Sequence, residues 1–289
     1  VEDASARISD ESWLPALGLM YDITPQMKVR ASWSKTIARP TFRELAPVAT
    51  EEFIFGDEFI GNPDLTMSKI TNYDLRWEWF PRLGSVLAAS VFYKDIQDPI
   101  ELLSFAAGNR SFIQPVNFEQ GRLLGYEFEG RAAPRWAGGV SFGLNLTLLD
   151  SEVDVPLSEQ ESLSAFGLDE ETRRLQGQPE YVGNINMTYD HEPSGFSFGL
   201  FYTVVGETLA TGAARGSEDG VPNVFNESLA NMNASLTKRF GEHCSLTLKG
   251  KNLTRDLKGS VYRTPRGEEE TKTQRDTAGR ISLSFGYTW

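Results

Sequence analysis

Most of eleven strand-like segments of this chain repeat one pattern: large apolar side chains at every second position, with small or polar ones between. Period two is the side-chain period of a β-strand, so each segment carries one apolar and one polar face. The plainest covers residues 72–79, where Tyr73, Leu75, Trp77 and Trp79 share one face and Asn72, Asp74, Arg76 and Glu78 the other. Strands are predicted around residues 17–23, 28–34, 72–79, 85–96, 122–131, 140–148, 181–189, 196–204, 229–240, 244–253 and 280–289. The facing of 85–96 is ambiguous, and the ninth and tenth segments are less regular.

The connections add a second constraint. Those after the odd-numbered strands are turns of a few residues, while those after strands two, four, six, eight and ten run to about 20–30 residues, against the usual ~4–6. Short turns at one end and long loops at the other is the asymmetry of an outer-membrane barrel, with turns in the periplasm and loops outside. The polar face points the same way. It is rich in Ser, Thr, Asn and Gly with occasional Arg or Glu, which suits a wide, wet lumen. The apolar face carries Trp33, Trp79, Tyr189, Tyr202 and Trp289 towards strand ends, as lipid-interface girdles do. The predicted fold is an all-β, antiparallel transmembrane barrel, closed because an open edge in lipid leaves backbone groups unpaired.

Composition narrows the function classes. Among the 289 residues no run approaches the ~18 apolar residues of a membrane helix, which a strand-built span does not need. The net charge of -12 argues against a nucleic-acid partner. Acidic residues cluster in the long connections (Glu51, Glu52, Asp57 and Glu58; Glu159, Glu161, Asp169, Glu170 and Glu171; Glu268 to Glu270) and read as solvated loop surface. The one cysteine, Cys244, excludes an intrachain disulfide. His191 and His243 lie in short turn-like stretches without metal-ligand spacing and read as solvent-exposed; no metal or cofactor is expected. Triplets such as Asn145-Leu-Thr and Asn252-Leu-Thr read as polar strand residues rather than glycan sites.

Several stretches resemble the barrel domain of TonB-dependent outer-membrane receptors. They are S-K-T-I-A-R-P-T-F-R-E-L-A-P at 34–47 and Gly61-Asn62-Pro63-Asp64-Leu65, then Asn72-Tyr73-Asp74-Leu75, Phe92-Tyr93-Lys94-Asp95-Ile96, Gly125-Tyr126-Glu127 and Lys251-Asn252-Leu253, with the aromatic-ended last strand. Each is weak alone; their order along nearly the whole chain is specific. The resemblance implies a 22-strand barrel filled by an amino-terminal plug, in the outer membrane of a Gram-negative bacterium. An odd strand count and a start at Val1 without Met or leader lead to the expectation that residues 1–289 are the carboxy-terminal portion of such a barrel.

The expected function is binding and uptake of an extracellular nutrient, with no chemistry on it. Candidate ligand contacts in the loops and upper lumen are Arg39, Arg43, Phe53, Phe55, Phe59, Phe105, Arg110, Phe112 and Arg215. Arg76, Glu78, Glu127 and Glu129 are expected on the lumen wall, facing a plug or forming a charge ladder between strands. Ile281, Leu283, Phe285, Tyr287 and Trp289 form the lipid face of the last strand and resemble the signal read by the barrel-assembly machinery. The partners implied are outer-membrane lipid, the TonB complex through an amino-terminal region outside this chain, that assembly machinery and a small ligand. Oligosaccharide and ferric siderophore stand ahead of cobalamin as the ligand. The rivals are a passive porin-like barrel, an outer-membrane hydrolase, which would need a Ser near a His and an acid, and a soluble β-protein.

Overall fold

The computed structural model describes residues 11–51, 57–107, 110–164, 171–215, 223–263 and 267–289. Eleven long strands form one antiparallel sheet in sequence order: β1 (Ala16–Thr24), β2 (Met27–Ala38), β3 (Ser68–Arg82), β4 (Ser85–Gln97), β5 (Gln120–Ala132), β6 (Val140–Asp154), β7 (Tyr181–His191), β8 (Phe196–Val205), β9 (Leu229–Phe240), β10 (Cys244–Lys251) and β11 (Arg280–Tyr287). A two-residue strand, Thr172–Arg173, adds to the outer end of β6. All eleven predicted strands are present, with the predicted alternation of connections. Turns fill residues 25–26, 83–84, 133–139, 192–195 and 241–243, and long loops fill 39–67, 98–119, 155–180, 206–228 and 252–279.

Register keeps the two faces unmixed across the sheet. Leu19 lies opposite Ala31, Ala31 opposite Leu75, Leu75 opposite Val91, Val91 opposite Tyr126, and Tyr126 opposite Leu148. Leu200 then faces Ala234, Leu236 faces Leu248 and Leu248 faces Leu283. A slip of one residue at any pair would turn every later apolar side chain to the wrong side. This apolar face is the exposed one: Leu19 is 65% accessible and Leu283 67%, whereas Asn72 and Glu78 on the other face are 7% and 8%. That polarity, inverted relative to a soluble sandwich, is what lipid outside and water inside select.

The sheet is open. β1 and β11 each lie at an edge and are exposed on both faces along their whole length. Two turn-side and loop-side aromatic clusters flank the apolar face. Tyr73 and Tyr93 approach at 6.3 Å, and Tyr287 meets Trp289 edge-on at 5.5 Å.

Several of the family-like stretches are places where one strand interlocks with the next. A Cβ on Gly125 would lie 2.1 Å from Cζ of Phe92, so the Phe92 ring occupies the space that a side chain on β5 would take. This settles the facing of β4: Phe92 and Lys94 point inwards, and Leu87, Ala89, Val91 and Tyr93 outwards, opposite Gly130, Phe128, Tyr126 and Leu124. The amide of Asn72 donates to Ser34 O, Ser34 Oγ and Thr36 Oγ1, and its Oδ1 accepts from Lys94 Nζ at 3.0 Å, tying β2, β3 and β4 together. After β2 stops before Arg39-Pro40, Thr41 caps the short helix α1 (Phe42–Leu45) in a reciprocal box with Glu44. Gly61 packs so close to that helix that a Cβ would lie 2.0 Å from Ala46 O.

Three expectations change. Strand β10 ends at Lys251 rather than 253, because Asn252 turns into the left-handed region (φ 50). Its amide caps Thr277 O at 2.6 Å, so Asn252 is a turn residue and not a strand residue. His191 is the last residue of β7, half-buried, with Nδ1 2.7 Å from Ser194 Oγ and its ring stacked near Tyr189, rather than a solvent-exposed turn residue. Gly125→Ala should destabilise the membrane-embedded protein by ~1–3 kcal/mol, the usual cost of overpacking, and Phe92→Ala in the same chain should recover part of it. Urea unfolding in lipid vesicles reads both; an unchanged midpoint in the single variant would contradict the interlock.

Candidate functional site

The inner face of the sheet divides into two chemically different walls. On β2 to β5 it is charged. Arg76 donates to Glu78 Oε1 (2.9 Å), Glu129 Oε2 (2.8 Å) and Ser90 Oγ (3.0 Å), and Arg30 donates to Glu78 Oε2 (2.9 Å). Arg131 reaches Glu129 at 3.9 Å. The expected residues Arg76, Glu78 and Glu129 therefore make an interstrand ladder. Glu127 sits on the same face between Ser90 and Thr147 and forms no ion pair among the described residues. With the arginines 30% and 53% exposed, individual pairs are worth ~0–1 kcal/mol; their effect is to hold the charges in place.

On β6 to β9 the wall is neutral except at its turn end, where Arg239 donates to Asp190 Oδ1 at 3.0 Å. Asn145, Asn184, Thr203 and Asn231 form one cross-strand row, and Asn186, Phe201 and Asn233 the next. Thr203 Oγ1 donates to Asn184 Oδ1 at 2.8 Å. Phe201, 44% accessible, is a large ring set among amides on the polar face.

The long loops meet in a second sheet of eight short strands. Their order is Glu269–Arg275, Lys258–Arg263, Asn223–Asn226, Thr208–Arg215, Ile100–Ala107, Arg110–Asn117, Glu58–Ile60 and Ala49–Glu51. Four different loops contribute, joined by one antiparallel seam, Asn223–Asn226 against Ser260–Arg263, and two parallel ones: Gly212 and Arg215 pair with Leu103 and Phe105, and Glu58 and Phe59 pair with Phe112 and Ile113. Lys272 Nζ in the first strand lies 2.5 Å from Asp57 Oδ2 beside the seventh, so the sheet curls until its two ends are joined by an ion pair.

This sheet gathers most of the expected loop residues. Phe105 lies opposite Phe112 and in register with Arg215, Arg110 opens the adjacent strand, and Arg43 places its guanidinium 4.2 Å from the centre of the Phe59 ring. Arg39 does not join them; it is exposed at the end of β2. Phe53 and Phe55 lie outside the described residues.

Beneath the sheet, the loop acids are not all solvated surface as their loop positions suggested. Glu159 is 1% accessible and Glu101 4%, and both bind Arg173. Arg173 Nη1 donates to Glu101 Oε2 at 2.7 Å and Nε to Glu159 Oε1 at 2.9 Å, with the guanidinium 4.9 Å from the Phe118 ring centre. Phe118 belongs to a buried apolar cluster with Leu123, Val153 and Leu175. Gln176 locks the same hairpin: its N donates to Glu101, its Nε2 to Leu102 O at 2.6 Å, and its Oε1 accepts from Leu102 N. Gly212 closes over this group, where a Cβ would lie 2.5 Å from Glu159 Oε1. Burial pushes the Glu101 carboxyl up, despite the opposing pull of Arg173 and the Gln176 backbone.

A second node ties two more loops. Arg263 binds Glu207 through both terminal nitrogens and Glu269 through Nε (2.8 Å), over the Phe225 ring at 4.3 Å. These carboxylates hold its guanidinium pKa above the ordinary range, the Glu207 hydrogen bond most of all. Nothing in the sequence periodicity marked Glu101, Arg173, Gln176 or Arg263, because each is meaningful only beside a residue from another loop. Among the described residues no group of three or more His, Cys, Asp and Glu is arranged to hold a metal ion.

An inside-out polar sheet under a layer of joined loops defines an outer-membrane barrel wall with an elaborated extracellular end. The family model described as TonB dependent receptor-like, beta-barrel matches residues 2–253, and the chain belongs to that family, whose place is the outer membrane of Gram-negative bacteria. Solved structures share the fold. The ferric enterobactin receptor of Pseudomonas aeruginosa in complex with enterobactin matches over 95% of this chain at 18% identity and a TM-score of 0.62. The siderophore receptor PirA of Acinetobacter baumannii matches over 96% at 14% and 0.62, and the copper transporter OprC over 95% at 15% and 0.64. The chain spans 40%, 41% and 39% of these three proteins. No curated protein matches it by sequence.

The Glu101 shift has a testable sign. A carboxyl whose pKa is raised on folding binds its proton more tightly in the folded loops, so their stability rises as pH falls from neutral towards the ordinary value of 4.5 and is lost as pH rises. Hydrogen exchange over residues 100–117, corrected for intrinsic rates, should slow on acidification across that window. In Glu101→Gln the same segment should be protected at neutral pH and show a flatter pH response.

Proposed function

We propose that the chain is the carboxy-terminal part of the barrel of an outer-membrane receptor that captures a small extracellular nutrient and admits it by TonB-energised uptake. The observation that carries this reading is the loop sheet: strands from four loops, cross-linked at Glu101–Arg173–Glu159, Arg263 and Lys272–Asp57, form a held surface over the strands. A passive pore needs no such layer, and a fixed constellation lowers the ordering cost of binding. The contacts proposed are Arg43, Phe59, Phe105, Arg110, Phe112 and Arg215, with Arg39, Phe53 and Phe55 beside them.

Their chemistry, cationic and aromatic, suits an anionic ligand with aromatic groups, and the matched structures include one described as a siderophore receptor and one as a ferric enterobactin receptor. A ferric siderophore is therefore the ligand class we favour. The neutral wall of Asn184, Asn186, Phe201 and Asn233 supports an oligosaccharide as the second reading, since amides and an aromatic ring complement hydroxyl groups and sugar faces. In the full receptor the charged wall of Arg76, Glu78, Glu127 and Glu129 would face a plug, β1 and β11 would close against strands outside this chain, and TonB would act through the plug.

Two measurements test the proposal. In outer-membrane vesicles carrying the full receptor, Arg43→Ala together with Arg110→Ala should weaken ferric-siderophore binding about tenfold or more, as loss of charge-assisted contacts does. Unchanged siderophore binding, or binding of oligosaccharide alone, would reject the favoured ligand. Separately, Trp289→Ala should lower the yield of heat-modifiable, membrane-inserted receptor while leaving the affinity of the inserted fraction unchanged, if the terminal strand is what the assembly machinery reads. Normal yield would remove that role.

A further inference from the structure

The outward face carries a groove that its apolar pattern does not require. It is an open depression of about 620 Å³ across β4 to β7 at the turn end of the sheet, lined by Leu87, Gly130, Phe142, Leu144, Ile185 and Arg82. Its floor exists because Gly130 has no side chain between two leucines: a Cβ there would lie 3.6 Å from Leu87 Cδ2 and 4.0 Å from Leu144 Cβ, so there is room for one. Leu87, Gly130, Leu144 and Ile185 are successive register partners, which makes the groove a notch cut along one row of the lipid-facing surface.

The charge at its end is the second observation. Trp79 pairs with Leu87 but Arg82 pairs with Ser85, a register shift that inserts a bulge into β3. The bulge reverses the alternation, so Arg82, which would otherwise face inwards with Glu78, shares the outward face with Ser85 and Leu87. Arg82 is exposed, donates from Nε to Ser85 Oγ at 3.2 Å, and has no carboxylate partner among the described residues. The neighbouring turn, 133–139, carries Trp136 at 86% accessibility, and Leu83 at the tip of the 83–84 turn is fully exposed. Apolar turn tips with an adjacent unpaired cation mark the depth at which hydrocarbon gives way to headgroups.

We propose that this groove holds one glycerophospholipid of the inner leaflet, with an acyl chain laid over Gly130 and the phosphate bound by Arg82. The turn end of the sheet is the periplasmic end, so the lipid that reaches it is inner-leaflet phospholipid rather than the lipid A of the outer leaflet. An ordinary annular lipid would need neither the notch nor the re-aimed arginine. The site is independent of the ligand assigned to the loops.

Native mass spectrometry of the complete membrane protein, extracted in mild detergent and washed free of bulk lipid, tests it with phosphatidylglycerol and phosphatidylethanolamine as probes. The wild type should retain one phospholipid. Gly130→Leu, which fills the notch, should lose it, and Arg82→Gln should reduce retention about fivefold, the contribution of one cation at headgroup depth. Ala234→Leu, on the same face of β9 and away from the groove, should retain it. Heat-modifiable mobility reports assembly of each variant, and if Gly130→Leu does not assemble, Arg82→Gln and Ala234→Leu decide the matter. Equal retention in all variants, no retained phospholipid in the wild type, or lipid A in its place would overturn the proposal.

Discussion

Everything in this chain depends on the cost of leaving a backbone N–H or C=O unpaired in hydrocarbon, several kcal/mol for each group. Interior strands must be paired along both edges over their buried length, and the pairing must keep one register parity or polar side chains enter lipid. The eleven strands satisfy this from Leu19 to Leu283 with shifts confined to turn ends, such as the Asp22–Thr24 and Trp79–Arg82 irregularities. Side-chain interlocks then secure the register that the backbone demands. The Phe92 ring over Gly125 and the Asn72 amide between Ser34, Thr36 and Lys94 work only in one alignment.

That dependence explains what could be read from the sequence. Lipid on one side and water on the other write a period-two signal into every strand, so strand order, loop asymmetry and the outward face were legible before any coordinates. Strand β4 was not, since Val86, Ala88, Val91 and Phe92 make both faces apolar; the missing side chain of Gly125 on the next strand decides it. The loop sheet was illegible for a different reason. Its strands are short, two of its seams are parallel, and its partners are remote, so no local period records them. Arg43, Phe59, Phe105 and Phe112 are legible as loop residues, but no local pattern says that their segments lie together.

Burial of charge is the other lesson of the loops. Acidic residues in a long connection usually mean solvent, and for Glu268 and Glu270 they do. Glu159 and Glu101 instead surround Arg173 over an aromatic ring, where removing the arginine would take away a buried ion-pair partner of both carboxylates at a cost of about 3–5 kcal/mol. Such a node fixes geometry more than it adds stability. It couples hairpins that the polypeptide separates by dozens of residues, in a layer otherwise short of apolar core.

The ion pair between Lys272 and Asp57 spans 215 positions of the chain. Its two halves come from the 39–67 and 252–279 loops, so the curl of the layer is held by residues from opposite ends of the chain. The loop layer is thus a property of the chain as a whole: no shorter piece of it holds both ends of the curl.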